Sequence, residues 1–236
     1  MTVVLAHLFA AYAVLAVPAL GYLWYQRARK RIASGAPDAK VQLYRSLVVE
    51  QILTTGVVLA LCSGGLSRTS LGMVAPRSWA WNIAALLVVL GLLVWSSLRL
   101  RPKAEKIREK VKDKVGVLLP GSRQERFWFG VVSVGAGVSE ELMFRGFLLY
   151  YLSTYLPQLN TPERVLLVSL SFGLGHIYQG WIGVAGAGTL GVILAGLYLT
   201  TGSLFLPVVI HAAVDARVLL MFPPDASPAV AAQGAA

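Results

Sequence analysis

Residues 79–98 read WAWNIAALLVVLGLLVWSSL, twenty residues without a single charge. At about 1.5 Å per residue such a stretch is as long as the roughly 30 Å hydrocarbon core of a bilayer is thick. Six further apolar stretches flank it: 2–26, 43–62, 127–151, 164–178, 182–200 and 204–222, the last two parted only by Thr201-Gly202-Ser203. Trp24, Tyr25, Tyr44, Trp79, Trp81, Trp128, Tyr150 and Tyr151 stand at the ends of these stretches, where an interfacial aromatic belt belongs. The pattern predicts an all-α fold, a polytopic membrane helix bundle of about seven transmembrane helices.

Composition agrees. Of 236 residues 56% are apolar and only 14% charged, against about 25% charged in ordinary soluble domains; mean hydropathy is +0.67. A soluble fold of this size cannot hide that much apolar surface, which excludes a soluble enzyme and a disordered chain. The single cysteine, Cys62, excludes an intrachain disulfide framework. The first apolar run is too long for a signal-peptide core and its basic residues follow it, so it reads as a retained helix.

The net charge of +10 is topological. Sixteen of the twenty-one Lys and Arg residues fall in 27–45 and 99–126. Three alternating spans put both regions on one side, while the intervening loop carries only Arg68 and Arg77. The positive-inside rule then places the N-terminus outside and both basic loops in the cytoplasm, in a multi-pass protein of the cell inner (plasma) membrane. Residues 101–114 alternate in sign and read as a solvated or surface-lying helix. No base-stacking aromatics interleave with these lysines, so no nucleic-acid partner is expected. The chain divides into an N-terminal membrane region (1–123), a polar-bearing core (124–222) and a Pro/Ala-rich tail (223–236) expected to be disordered.

Ionisable groups inside a bilayer cost several kcal/mol and are functional candidates by default. They are few: His7, Glu50, Glu140, Glu141, Arg145, His176, His211, Asp215 and Arg217. Glu50 reads as a residue that snorkels or pairs with Arg45, His7 as incidental, and Arg217 as a local pair or interfacial group. Glu141 and Arg145 are four residues apart and stack on one helical face, and so do Phe172 with His176 and His211 with Asp215. Counted inward from the span ends, Glu140, His176 and His211 all reach the middle of the membrane and can converge.

Adjacent carboxylates in a low-dielectric site cannot both ionise cheaply. A carboxylate beside a neutral imidazole can activate water as a general base, and a second histidine with its i+4 partner can stabilise a developing oxyanion. The set suggests peptide-bond hydrolysis inside the membrane without a Ser or Cys nucleophile. The reading from a different class is a non-catalytic membrane scaffold or small ion-coupled transporter, but paired inverted repeats are not evident in the two halves.

Glu140-Glu141-Leu142-Met143-Phe144-Arg145-Gly146 resembles the EExxxRG signature of the CPBP intramembrane proteases, the family of the type II CAAX prenyl proteases and the lysostaphin-resistance-like proteins. Phe172-Gly173-Leu174-Gly175-His176 is similar to its second motif, FxxxH, and the segment from Thr201 through His211 to Asp215 resembles its third. The likeness covers about residues 124–217. It implies an endopeptidase that acts on a membrane-associated protein or peptide near its C-terminus. It also implies that Glu140 and His176 activate the water, that Glu141 and Arg145 shape the site, and that His211 with residue 215 polarises the scissile carbonyl. Residue 215 is Asp where the prenyl protease branch commonly has Asn. An Asp here can orient His211, donate while protonated, or help hold a metal. The family has been described both as metalloproteases and as metal-free glutamate proteases. Were zinc used, Glu140, His176 and His211 could supply three ligands.

Overall fold

The computed structural model describes residues 2–111 and 114–224. The tail beyond 224, expected to be disordered, lies outside the described residues, as do Lys112 and Asp113. Seven helices correspond to the seven apolar stretches: α1 (Val3–Ala33), α2 (Ala39–Ser63), α3 (Trp79–Val111), α4 (Arg123–Tyr155), α5 (Thr161–Gly175), α6 (Trp181–Thr201) and α7 (Phe205–Ala216). A single turn, Val218–Met221, follows. There is no strand among the described residues, and the chain is a multi-pass membrane helix bundle.

Five of the helices, α1 to α4 and α6, are long and apolar enough to cross a bilayer. The other two fall short of the roughly 20 residues that a span requires: α5 has 15, as many as its apolar stretch but begun three residues earlier, and α7 has 12, shorter than its stretch suggested. α5 begins at a capping box in which Asn160 and Glu163 satisfy each other's backbone N–H groups. It stops at Gly175, so His176 is the residue that caps its C-terminus rather than a member of a continuous span, and a 3-10 turn, Ile177–Gln179, follows. The glycines at 173 and 175, poor helix formers, and the positive-φ Gly180 explain the early stop.

Two helices are not α-helical throughout. Tyr12–Ala16 in α1 and Leu142–Leu148 in α4 are π-helical, a local widening that recurs at functional sites. The polar end of α3 is also only partly as expected. A 3-10 turn at Arg101–Lys103 leads into Ala104–Val111, whose apolar residues Ala104, Ile107 and Val111 pack with Leu119, Met221 and Phe222. Glu105, Lys106, Glu109 and Lys110 are exposed while Arg108 lies over the Phe222 ring at 5.5 Å, so the segment is amphipathic, with the bundle as its apolar partner.

Burial separates the helices by role. α3 turns Leu87 (66% exposed), Val88 (63%) and Leu92 (59%) outward, a surface that only lipid can cover without cost. α4 lies at the centre. Phe144, Phe147, Leu148, Phe172, Val58, Leu61 and Leu71 form its core with α1, α2 and α5.

Two glycines set the depth of the central contacts. A Cβ on Gly137 would stand 2.7 Å from the Val208 carbonyl oxygen and 3.0 Å from the Ala212 backbone nitrogen, so α4 and α7 touch backbone to backbone there. A Cβ on Gly173 would stand 2.7 Å from the Val184 carbonyl oxygen, which closes α5 onto α6 in the same way. Small residues at such crossings are how helices associate where lipid removes the hydrophobic driving force. Gly137 lies three residues before Glu140, and Gly173 three before His176.

Gly137→Val should lower thermal stability in detergent by about 1–3 kcal/mol, the usual cost of overpacking. Gly56, whose added Cβ would meet nothing within 4 Å, supplies the control: Gly56→Ala should melt at or above the parent temperature. Equal melting of the two variants would contradict the close crossing of α4 and α7.

Candidate active site

The polar residues of α4, α5 and α7 form two layers. The inner layer is a chain of charges. Arg145 Nη1 donates to Glu141 Oε1 at 2.7 Å, and the same oxygen accepts from His211 Nδ1 at 2.7 Å. Glu141 and Arg145 have no solvent-exposed surface, and His211 is 2% exposed. Arg145 also donates through Nη2 to the Gly191 carbonyl of α6 at 3.2 Å and lies 4.4 Å over the Phe172 ring. Phe172 in turn meets the His211 ring edge-on at 5.6 Å and the His176 ring at 4.9 Å. One aromatic ring thus sits between the cation and both imidazoles.

The outer layer lines a cavity of about 440 Å³. Glu140, His176 and Asp215 are on its wall, whereas Glu141, Arg145 and His211 stand behind it. The two glutamates are neighbours, and successive helical residues point about 100° apart, so one carboxylate is committed to the ion pair and the other faces the cavity. His176 Nδ1 lies 2.9 Å from the Phe172 carbonyl oxygen. A carbonyl only accepts, so Nδ1 carries the hydrogen and the neutral ring leaves Nε2 as an acceptor. His211 Nε2 is 3.7 Å from Asp215 Oδ2, an ionic contact beyond hydrogen-bond range. Asp215 keeps a side chain 38% exposed.

From Glu140 the cavity runs toward the basic end of the bundle, past Leu47, Tyr44, Phe129 and Trp24 to Val115, Leu118 and Leu119. That last segment is pinned across the opening by side chains of α1 and α2. Tyr44 donates to the Leu118 carbonyl at 2.8 Å, Lys40 to the Leu119 carbonyl at 3.0 Å, and Tyr25 to the Lys114 carbonyl.

Of the three ionisable residues that the sequence set apart from the site, Glu50 sits differently from expectation. Glu50 neither snorkels nor pairs with Arg45. Its Oε1 accepts from Tyr12 at 2.7 Å and Thr54 at 2.9 Å, while Arg45 stacks over Trp128 at 4.9 Å. Glu50 faces the same cavity as Glu140. His7 contacts the Tyr151 hydroxyl at 2.8 Å and packs on Tyr155, on the far side of α1 from the site. Arg217 caps the end of α7. The sequence also gave no sign of Tyr12, Gln51, Tyr178 and Gln179 on the cavity wall. None of them is charged, and in an apolar chain charge is what sets a site residue apart.

No three His, Cys, Asp or Glu side chains among the described residues are grouped as ligands of one metal ion. His211 spends Nδ1 on Glu141 and lies behind the wall that carries Glu140 and His176, so those three donors do not assemble into a ligand set here.

Residues 122–217 match a family model described as Type II CAAX prenyl endopeptidase Rce1-like. No curated protein and no solved structure gives a significant match.

Breaking a buried ion pair by removing one partner costs about 3–5 kcal/mol. Arg145→Met should therefore lower the melting temperature sharply, and adding Glu141→Gln to it should restore part of the loss, because the stranded charge is gone. A double variant no more stable than Arg145→Met alone would show that the pair is not a coupled unit.

Proposed function

Because residues 122–217 belong to the CPBP/CAAX protease family, we propose that the chain is an intramembrane endopeptidase that hydrolyses a peptide bond of a membrane-associated protein or peptide near its C-terminus. The observation that carries this reading is the shared cavity: Glu140, His176 and Asp215 line one space, with the His211–Glu141–Arg145 chain directly behind.

In this mechanism a water molecule in the cavity is held between the Glu140 carboxylate and His176 Nε2. Glu140 takes the proton as the water oxygen bonds to the scissile carbonyl carbon. The carbonyl oxygen becomes an oxyanion. His211, in its protonated form, stays behind the wall with Nδ1–H held by Glu141 and Nε2–H facing Asp215, and its positive charge stabilises the oxyanion electrostatically. Collapse of the tetrahedral intermediate breaks the C–N bond, and Glu140 passes its proton to the leaving amine. Arg145 stays in place throughout and keeps Glu141 oriented. Asp215 orients His211 from the cavity side, which suits an Asp where an Asn would be a donor in its own right. No step runs through a metal.

Substrate enters from the basic end, toward which the cavity extends. With sixteen of twenty-one basic residues in 27–45 and 99–126, that end is the cytoplasmic face and the N-terminus lies outside. The apolar wall (Leu47, Phe129, Val132, Met143) suits a segment delivered from the bilayer.

Glu140→Gln keeps size and hydrogen-bonding capacity but removes the base. It should lower the cleavage rate of a co-expressed substrate by about 10²–10⁴-fold with the melting temperature retained. His176→Ala should act in the same direction. Undiminished cleavage by Glu140→Gln would overturn the reading.

A further inference from the structure

Glu50 is an intramembrane carboxylate that the mechanism above does not use, and it lies outside the matched segment 122–217. Its setting is specific. Two hydroxyls converge on one oxygen, Tyr12 at 2.7 Å and Thr54 at 2.9 Å, which fixes the carboxyl plane. Tyr12 is the first residue of the π-helical segment of α1, so the backbone departs from regular helix at the residue that holds Glu50. Glu50, Tyr12 and Thr54 all line the cavity of Glu140.

The balance of charge on that wall is one-sided. Glu50, Glu140 and Asp215 line it, and among the described residues no Lys or Arg does; the Arg145 guanidinium is spent on Glu141 behind the wall. Carboxylates lining one membrane-depth cavity repel one another. A cation brought by the substrate removes that penalty, whereas a carboxylate brought by the substrate adds to it.

We propose that Glu50 is the substrate-recognition residue of this cavity and takes a Lys or Arg side chain of the bound peptide, on the wall it shares with Glu140. The inference rests on the cavity being the substrate site. It assigns the chain a preference for peptides with a basic residue within reach of the scissile bond. A free C-terminal carboxylate is excluded from the depth of the cavity and belongs at its basic mouth, where Lys40 and Lys114 flank Val115–Leu119.

The simpler role for Glu50, an acceptor that ties α1 to α2, is separated by Glu50→Gln. The amide oxygen still accepts from Tyr12 and Thr54, and only the charge is lost. The protein is purified with Glu140→Gln, so that no probe is consumed, and placed in phosphatidylcholine nanodiscs, which carry no net charge. The probes are three Leu/Ala-rich synthetic peptides with a neutral fluorescent label, alike except for a central Lys, norleucine or Glu, and binding is read by anisotropy. The Lys peptide should bind about tenfold more tightly than the norleucine peptide, as a charged hydrogen bond shielded from water requires, and the Glu peptide most weakly. Adding Glu50→Gln should bring the Lys and norleucine peptides to equal affinity with the melting temperature unchanged. Equal binding before that substitution, or a Lys preference that survives it, overturns the proposal. Lys-selective, Glu50-dependent binding without cleavage by the unsubstituted enzyme would sustain it and remove the protease reading. Cleavage without Lys selectivity would do the reverse.

Discussion

In the low-dielectric centre of the bundle Glu141 shares a single oxygen between Arg145 and His211, both at 2.7 Å. A charge with no exposed surface must be paired in this way or be neutralised, and that constraint fixes the positions of four helices. Arg145 is on α4 with Glu141, reaches α6 through the Gly191 carbonyl and stacks on Phe172 of α5, while His211 brings in α7. The glycine crossings at 137 and 173 are the steric condition for it. With a side chain at either place the helices stand further apart, and 2.7 Å contacts across them are lost.

This paired layer leaves the cavity wall free for chemistry. Its residues point to the opposite demand, a carboxylate and an imidazole nitrogen without protein partners at their working atoms. Glu140 and Glu141 are adjacent and chemically identical, and helical rotation alone separates them into a structural and a reactive group. Phe172 serves both layers. It shields Arg145 on one side and fixes His176 on the other through its own carbonyl and ring.

Much of this was legible in the sequence, because scarcity makes charge informative in an apolar chain. All seven apolar stretches are helices, and the Glu141–Arg145 pair follows from a spacing of four on one helix. What the sequence hid depends on other kinds of contact. The end of α5 at Gly175 was masked by the apolar run that continues to Tyr178, since hydropathy does not register backbone freedom. Glu50 was read against its near neighbour Arg45, yet its partner Tyr12 lies 38 residues away on another helix. Arg45 instead found the face of Trp128, a contact with no periodic signature. The π segments left no trace because most of their residues are ordinary helix formers, and a single glycine, Gly146, does not distinguish a π turn from an α turn.

The π segment at Leu142–Leu148 has an evolutionary consequence. A π turn accommodates one residue more than an α turn, so this helix carries one residue more than a regular helix of the same rise would hold there. Loss of one residue there would restore regular hydrogen bonding and give a locally more comfortable helix. It would also rotate everything beyond it by about 100°, carrying the Tyr150 and Tyr151 end of α4 away from His7. Length in this stretch is therefore constrained, as is the identity of Arg145: a deletion breaks the phase between the charged centre of α4 and its aromatic end.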